Sequence, residues 1–445
     1  MQTRKFNFLK HFALIILLFL ALIGPQLSYG NHVVDLQNIT LLALSLAALL
    51  RIIIKKKISK YYILFILLLS ITFLYYFLIV SLNNFQDITA FKLIFLAIMN
   101  ALAAFYLYEK YHDFYQDDAL EKFFNDLIKI FLFDSIFVIM AYFNESVWNF
   151  AYHYLGGKHM EINKLVSNIN ISKRSCDIGI GSGAIASINF SIFYIISLIY
   201  YRKTYKTEVL LVAICLLLAT AFLGRTGLLI EFIFTIFMLL LFIGKQIANL
   251  LVLSKKNFRN LLKIKINIFK KNFQIIGVFF IIIIILASTV SNSSQRQKFQ
   301  DFTLPWILEA YYSFQTSGTL KTRSTDEILN RMYFMPKNQT ILIMGNSNLG
   351  RSENFPYIPS DVGYVRSIFG FGLIGTFITY LPFLIFIFLG LKYKKKFSAK
   401  ILFWTTLALI LTNFKELHLL SGSYGLIMIV LYIDIRAERR KKFSN

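Results

Sequence analysis

The stretch EVLLVAICLLLATAFLGRTGLLIEFIFTIFMLLLFIG, residues 208–244, decides the fold. Read as one helix it would run about 55 Å at 1.5 Å per residue, nearly twice the ~30 Å hydrocarbon core of a bilayer. The run has to turn, and its polar hinge is Gly224-Arg225-Thr226-Gly227. This pattern predicts two membrane helices in a tight hairpin, with Arg225 at the outer membrane surface.

Outward from the hairpin the same logic repeats. At 57% hydrophobic residues and a mean hydropathy of +0.62 over 445 residues, the chain carries more apolar surface than one soluble core can bury. Apolar runs at about 11–28, 36–54, 61–82, 89–107, 126–143, 184–201, 273–290, 367–390, 400–414 and 420–435 complete the set. The expected fold class is an all-α polytopic membrane protein with about twelve transmembrane helices and both termini cytoplasmic. The first run follows Arg4, Lys5 and Lys10 and has features of a signal peptide, but an uncleaved span is the favoured reading.

The net charge of +24 sits mostly in short connectors, such as Lys55–Lys57 and the eight Lys and Arg between Lys245 and Lys271. Basic connectors of this kind set orientation, so the charge does not point to nucleic acid. Three parts follow: 1–290 with nine spans and an external loop at about 144–183, a large periplasmic loop at 291–366, and 367–445 with the last three spans and a basic tail. Cys176 and Cys215 are the two cysteines, the second inside a span, which argues against a disulfide between them.

Candidate chemistry concentrates in the hinge and the large loop. An arginine between two long apolar helices has to snorkel, pair or bind something, so Arg225 is either an anion clamp or an anchor, for example paired with Glu231. The loop adds Arg296, Lys298, Lys321, Arg323, Arg331, Lys337, Arg351 and Arg366 against Asp301, Glu309, Asp326, Glu327, Glu353 and Asp361. Singly these are solvated charges; together they suggest an anionic ligand.

Asp361 opens SDVGYVRSIFGFGLIG (360–375), two residues before Gly363, Tyr364 and the nearby Arg366, and is a candidate proton acceptor for a substrate hydroxyl. Ser360 and Asp361 equally suit a helix N-cap. Leu304, Ile307, Leu308, Tyr311 and Phe314 fall at helical spacing and predict a short amphipathic helix. DIGIGSG (177–183) lacks the lysine and the preceding strand of a phosphate loop and reads as a flexible lead into a span. Asp134 lies inside a span, and Lys415, Glu416 and His418 close the last hairpin on its outer face. The scattered histidines and cysteines give no metal-ligand spacing, and no nucleophile motif is present.

These features together resemble the bacterial O-antigen polymerase (Wzy) family and, more distantly, the O-antigen ligases of the same superfamily. The likeness rests on span number and order and on FLGRTGLL (222–229), RSTDEILNRMYFMP (323–336), IMGNSNLG (343–350) and SDVGYVRSIFGFGLIG. Ligase-like sequences carry a His followed eleven residues later by Gly-x-x-Gly; here Asp361 holds the His position, with Gly372 and Gly375 at matching spacing, which favours polymerase over ligase. The resemblance implies a GT-C-like membrane glycosyltransferase of the bacterial inner membrane, active at the periplasmic face and needing neither metal nor cofactor. It implies inverting transfer between undecaprenyl-diphosphate-linked oligosaccharides, with Asp361 as base. Arg225 and Arg323 would bear on the departing diphosphate, and Arg296, Arg331, Arg366 and Tyr364 would bind diphosphate or glycan. Trp306, Tyr311 and Tyr312 are candidates to stack on sugars. Membrane lipid, a chain-length regulator and a flippase are the further partners it implies. A ligase, a lipid-linked oligosaccharide flippase and a structural assembly partner are the competing readings. A transporter would be expected to show repeat halves, and no internal repeat is evident.

Overall fold

The computed structural model describes residues 2–29, 32–55, 58–155, 175–179, 183–252, 300–301, 304–319, 322–349 and 357–443. The expected span at 273–290, and Arg296, Lys298, Lys321, Arg351 and Glu353, lie outside the described residues.

The chain is mostly helical. Helix α1 (Gln2–Ile23) leads into a two-stranded antiparallel hairpin, β1 (Gln26–Tyr29) and β2 (His32–Asp35), in which Gln26 pairs with Asp35. There follow α2 (Leu36–Lys55), α3 (Lys60–Leu82), α4 (Thr89–Tyr115), α5 (Ala119–Phe143) and the short α6 (Glu145–Phe150). Helices α7 (Ala184–Thr204), α8 (Thr207–Leu223) and α9 (Arg225–Val252) come next. The polar segment carries α10 (Leu304–Ile307), α11 (Glu309–Ser317), α12 (Arg323–Glu327) and α13 (Gln339–Met344), and the chain closes with α14 (Gly363–Lys392), α15 (Phe397–Thr412) and α16 (Ser423–Phe443).

Five apolar helical stretches are long enough to cross a membrane: Leu36–Ile54, Lys60–Leu82, Thr89–Phe143, Ile185–Thr204 and Gly363–Lys392. The third contains both α4 and α5, which reverse through the 3₁₀ turn Gln116–Asp118. Leu9–Ile23, Thr207–Leu223 and Phe397–Thr412 are apolar but shorter. The run 11–28 is helical only to Ile23, because Gly24 and Pro25 break it and the chain turns into the hairpin. A side chain at Gly24 would meet the Leu20 carbonyl and the Gln37 nitrogen.

Burial separates inner helices from outer ones. Leu426 to Leu431 are buried without interruption, so α16 is sheathed on every side, and 78% of the α7 span is buried. Only 28% of the α2 span is buried, and it exposes Leu42, Leu46, Leu49, Leu50 and Ile53. Helix α3 exposes Leu64, Leu67, Leu74 and Leu78, and α9 exposes Leu229, Phe232, Leu239 and Leu240. Apolar belts of that extent are stable against lipid and not against water.

The helix ends sort into two poles. At one, basic residues collect: Arg51 lies 3.3 Å from Glu109, Lys206 lies 3.7 Å from Glu121, and Lys203 sits over the Phe397 ring. At the other, the polar segment docks on helix ends and turns. Leu349 N donates to Asp87 at 3.4 Å and Tyr333 OH to the Phe414 carbonyl at 2.7 Å. Among the described residues, the basic ends of α2, α4, α7 and α8 thus carry these contacts, and the polar segment is not part of them.

Candidate functional site

The hinge in the 208–244 run forms as the sequence requires. Gly224 is extended (φ −173°, ψ 141°), and α9 begins at Arg225. Both hinge glycines are there for close approach: a Cβ on Gly224 would lie 2.6 Å from Ser187 Oγ, and one on Gly227 2.1 Å from the Ser187 carbonyl oxygen. Gly227 N donates to Ser187 Oγ at 3.3 Å, which fixes the hinge against α7.

From that hinge Arg225 reaches into the polar segment. Its guanidinium lies over the Trp306 ring at 5.0 Å, donates to the Trp306 carbonyl at 3.3 Å and forms an ion pair with Glu309. The second oxygen of Glu309 accepts the backbone N–H of Arg323 at 2.7 Å. One carboxylate therefore ties the membrane hinge to the first turn of α12, where Thr322 Oγ1 caps the helix by accepting from Thr325 N. The alternative pairing of Arg225 with Glu231 is not formed. Glu231 is fully buried, and one of its oxygens accepts from Thr220 Oγ1 at 2.7 Å.

Helix α12 runs on through a π-type turn, Ile328–Met332, to a second polar node. There Ser360 Oγ donates to the Met332 carbonyl at 2.8 Å, and Val362 N donates to Ser360 Oγ at 3.2 Å. Arg366 is buried at 6% exposure; its Nε donates to the Ser360 carbonyl at 2.8 Å, and its Nη2 lies 3.7 Å from Asp361. Asp361 itself is 53% exposed. The cap of α14 falls at Val362 and has no side-chain cap, so neither Ser360 nor Asp361 takes the expected N-cap place; Ser360 Oγ holds the turn before the helix, and the Asp361 carboxylate stays outside it.

The sequence-chosen residues are distributed as follows. Arg225 and Arg323 meet at Glu309, and Asp361 and Arg366 meet at the start of α14. About ten helical residues join the two nodes, roughly 15 Å of helix. Arg323 and Arg331 have exposed side chains, and among the described residues neither has a carboxylate within ion-pair range. Tyr364 turns its hydroxyl to the Ile410 carbonyl at 2.7 Å and packs on Tyr380 and Phe414, so its polar end fastens α14 to α15.

Three expectations change. The helix over 304–314 is broken at Leu308 into α10 and α11, with Tyr311 and Phe314 more than half exposed. The described part of DIGIGSG is tucked into the bundle and is no loose lead. Ser175 N donates to the Phe222 carbonyl at 3.0 Å, Asp177 is buried, and a Cβ on Gly179 would meet the Ile23 carbonyl at 2.4 Å. Buried Asp134 accepts from the Ile178 N–H, which makes it an anchor for that segment. His418 points inward: it is 3% exposed, its backbone N–H donates to Asn413 Oδ1 at 2.8 Å, and Tyr380 OH donates to the same oxygen.

Trp306, expected to stack on sugars, instead carries the Arg225 guanidinium on its ring, and neither Asn413 nor the bridging part of Glu309 was expected from the sequence. Asn413 had a local signal, a lone amide directly after an apolar helix. Glu309 had none, because its partner is 84 residues away.

Burial holds the His418 imidazole neutral, with its pKa lowered from 6.5 to about 4. The unfolded chain takes up that proton first, so this contribution to stability is complete above pH 6.5 and is lost as pH falls toward 4, on the order of 3 kcal/mol in all. The thermal midpoint in detergent is expected to fall between pH 7 and 4.5, and the His418→Gln protein to lose part of that slope. Parallel curves for the two proteins would mean that His418 is solvated.

Compared with protein-family models, with curated proteins and with solved structures, the chain matches none, so any functional reading rests on the sequence and the geometry above.

Proposed function

We propose that the protein is a membrane polysaccharide polymerase, a glycosyltransferase that joins oligosaccharide units carried on undecaprenyl diphosphate at the periplasmic face of the bacterial inner membrane. The observation that carries this reading is one helical segment, 323–332, which hangs between the Arg225–Glu309 pair and the Asp361–Arg366 pair and presents Arg323 and Arg331 to solvent. Cations beside an exposed carboxylate, at the pole where apolar helices end, suit a substrate with a lipid tail, a diphosphate and a sugar hydroxyl.

In this reading Asp361 accepts the proton of the acceptor hydroxyl as that oxygen attacks the anomeric carbon of the donor. The anomeric C–O bond to diphosphate breaks on the opposite face, and the diphosphate leaves with the electron pair, which inverts the configuration. Arg323, with Arg225 behind it, offsets the charge that builds on the leaving group, and Arg331 lies about two turns further along. Arg366 is too buried to meet a diphosphate, and its task is to hold Asp361 and the Ser360 turn in place.

The test is elongation of purified undecaprenyl-diphosphate repeat units by reconstituted protein. Wild type is expected to give long products, and Arg225→Ala to lose about 10²–10³ in rate. Glu309→Gln separates two tasks for Arg225. If the arginine meets diphosphate, freeing it from Glu309 leaves the rate near wild type; if it only staples the segment, Glu309→Gln is as inactive as Arg225→Ala. A wild type that only carries the lipid-linked unit across the bilayer, or delivers it only to a lipid A core, would overturn the polymerase reading.

A further inference from the structure

Helix α14 starts at Gly363 with no side-chain cap, and Asp361 stands two residues before it. The first N–H groups of a helix need acceptors from outside it. One of them, the Tyr364 N–H, is taken at 3.2 Å by the backbone carbonyl of Asn413, the residue that closes α15. A carbonyl left over at one helix end thus meets an N–H left over at another. Gly363 makes the approach possible, since a Cβ there would lie 2.6 Å from the Glu416 carbonyl oxygen and 2.7 Å from Asn413 Oδ1.

That carbonyl is held by the side chain of the same residue. Asn413 is fully buried, and its amide uses every one of its hydrogen-bonding positions. Nδ2 donates to the Leu409 carbonyl at 2.8 Å and to the His418 carbonyl at 3.1 Å, while Oδ1 accepts from the His418 backbone N–H and from Tyr380 OH, both at 2.8 Å. The two bonds to His418 are those one peptide group makes with another, so neither an ionised carboxylate nor an apolar side chain can reproduce them. Tyr380 belongs to α14 beyond the break at Gly372, so the same amide fastens the far half of that helix to the turn that caps its start.

Three segments close around Asp361: 332–333, 360–364 and 413–414. Ser360 Oγ joins the second to the first through the Met332 carbonyl, Tyr333 OH joins the first to the third through the Phe414 carbonyl, and the Tyr364 N–H joins the second to the third. We infer that Asn413 is a positioning residue for Asp361: its amide fixes the turn whose carbonyl caps α14, and that cap fixes where the Asp361 carboxylate stands. The catalytic consequence rests on the polymerase reading; the placement of the carboxylate does not.

In full-length protein reconstituted with undecaprenyl-diphosphate repeat units, Asn413→Ala is expected to lower kcat about 10–10²-fold while KM stays within about threefold, the pattern of a displaced reacting group with binding kept. A double-mutant cycle separates this from a merely structural role. If Asn413 acts through Asp361, adding Asn413→Ala to Asp361→Asn costs less than about twofold further, and equal losses in both backgrounds overturn the proposal. Should Asn413→Ala fold poorly, Tyr380→Phe removes a single bond to Oδ1 and keeps the ring against Tyr364 and Phe383. Its loss, expected to be about threefold, should vanish in the Asp361→Asn background in the same way. A readout independent of activity is alkylation of the Asp361→Cys protein by a membrane-impermeant maleimide, because Cys176 and Cys215 are buried. Adding Asn413→Ala or Tyr380→Phe should change that rate about threefold or more. An unchanged rate overturns the placement of position 361 by Asn413, whereas a changed rate in a protein that does not elongate supports the placement and counts against the polymerase reading alone.

Discussion

If the protein is the proposed polymerase with Asp361 as base, replacing Asp361 with asparagine is expected to slow elongation by a factor of about 10²–10⁴, the usual loss when a positioned general base is removed. The amide has the shape of the carboxylate but cannot take the proton of the attacking hydroxyl. The Asp361 side chain is 53% exposed, and among the described residues its ion-pair partner is Arg366 at 3.7 Å. The pair is long, and Arg366 keeps its bond to the Ser360 carbonyl in the variant, so the variant should fold as wild type does and, in the proposed reading, keep its affinity for the lipid-linked donor. Asp361→Glu should restore part of the rate, since the proton acceptor returns on a longer arm. An Asp361→Asn protein that elongates within a factor of about ten of wild type would move the base elsewhere. Arg366→Gln offers a contrast: it removes a buried guanidinium that donates to the Ser360 carbonyl, so it should lower the thermal midpoint as well as the rate.

The helices were legible because bilayer length and apolar composition leave a sequence few choices. Residues 60–82 and 363–392 contain their apolar runs almost to the residue, and the break at Gly224 follows from length alone. What the sequence did not reveal depends on contacts between distant residues. Nothing near Arg225 identifies Glu309 as its partner rather than Glu231, which is closer in sequence and sits one helical face away. DIGIGSG looked like a loop because glycine is common in loops, yet Gly179 is there so that backbone can pass the end of α1. Hydrophobic spacing over 304–314 suggested a continuous helix, and the break at Leu308 is a feature of how the polar segment docks on Arg225. Sequence position nominated Arg225, Arg323, Asp361 and Arg366, and their grouping into two nodes depends on contacts that sequence position does not show.

Gly372→Ala is expected to be the most damaging single-atom change at this pole, costing about 3–5 kcal/mol and most of the activity. Within α14, Gly372 has φ +66° and ψ −179°, a conformation nearly restricted to glycine, and it breaks the helix there. The break frees carbonyls that the polar segment then takes up: Asn346 N donates to Phe369 and Ser347 N to Gly370, both at 2.9 Å, and Tyr75 OH donates to Phe371 at 3.0 Å. A Cβ at 372 would lie 2.2 Å from the Ile343 carbonyl oxygen and 2.5 Å from Gly345 N, both backbone atoms with little room to yield. Gly375, the other glycine of the pair, would meet the Tyr75 ring, whose rotation can relieve part of the clash, so Gly375→Ala should cost less. Gly318 supplies the control, since it also has positive φ, +69°, but nothing lies within 4 Å of a Cβ there, which leaves only the conformational cost of about 1–2 kcal/mol. Thermal midpoints in detergent should therefore fall in the order Gly318→Ala, Gly375→Ala, Gly372→Ala. If Gly372→Ala proved no worse than Gly318→Ala, the 343–349 segment would not be packed into the kink, and the support it gives to the start of α14 would have to come from elsewhere.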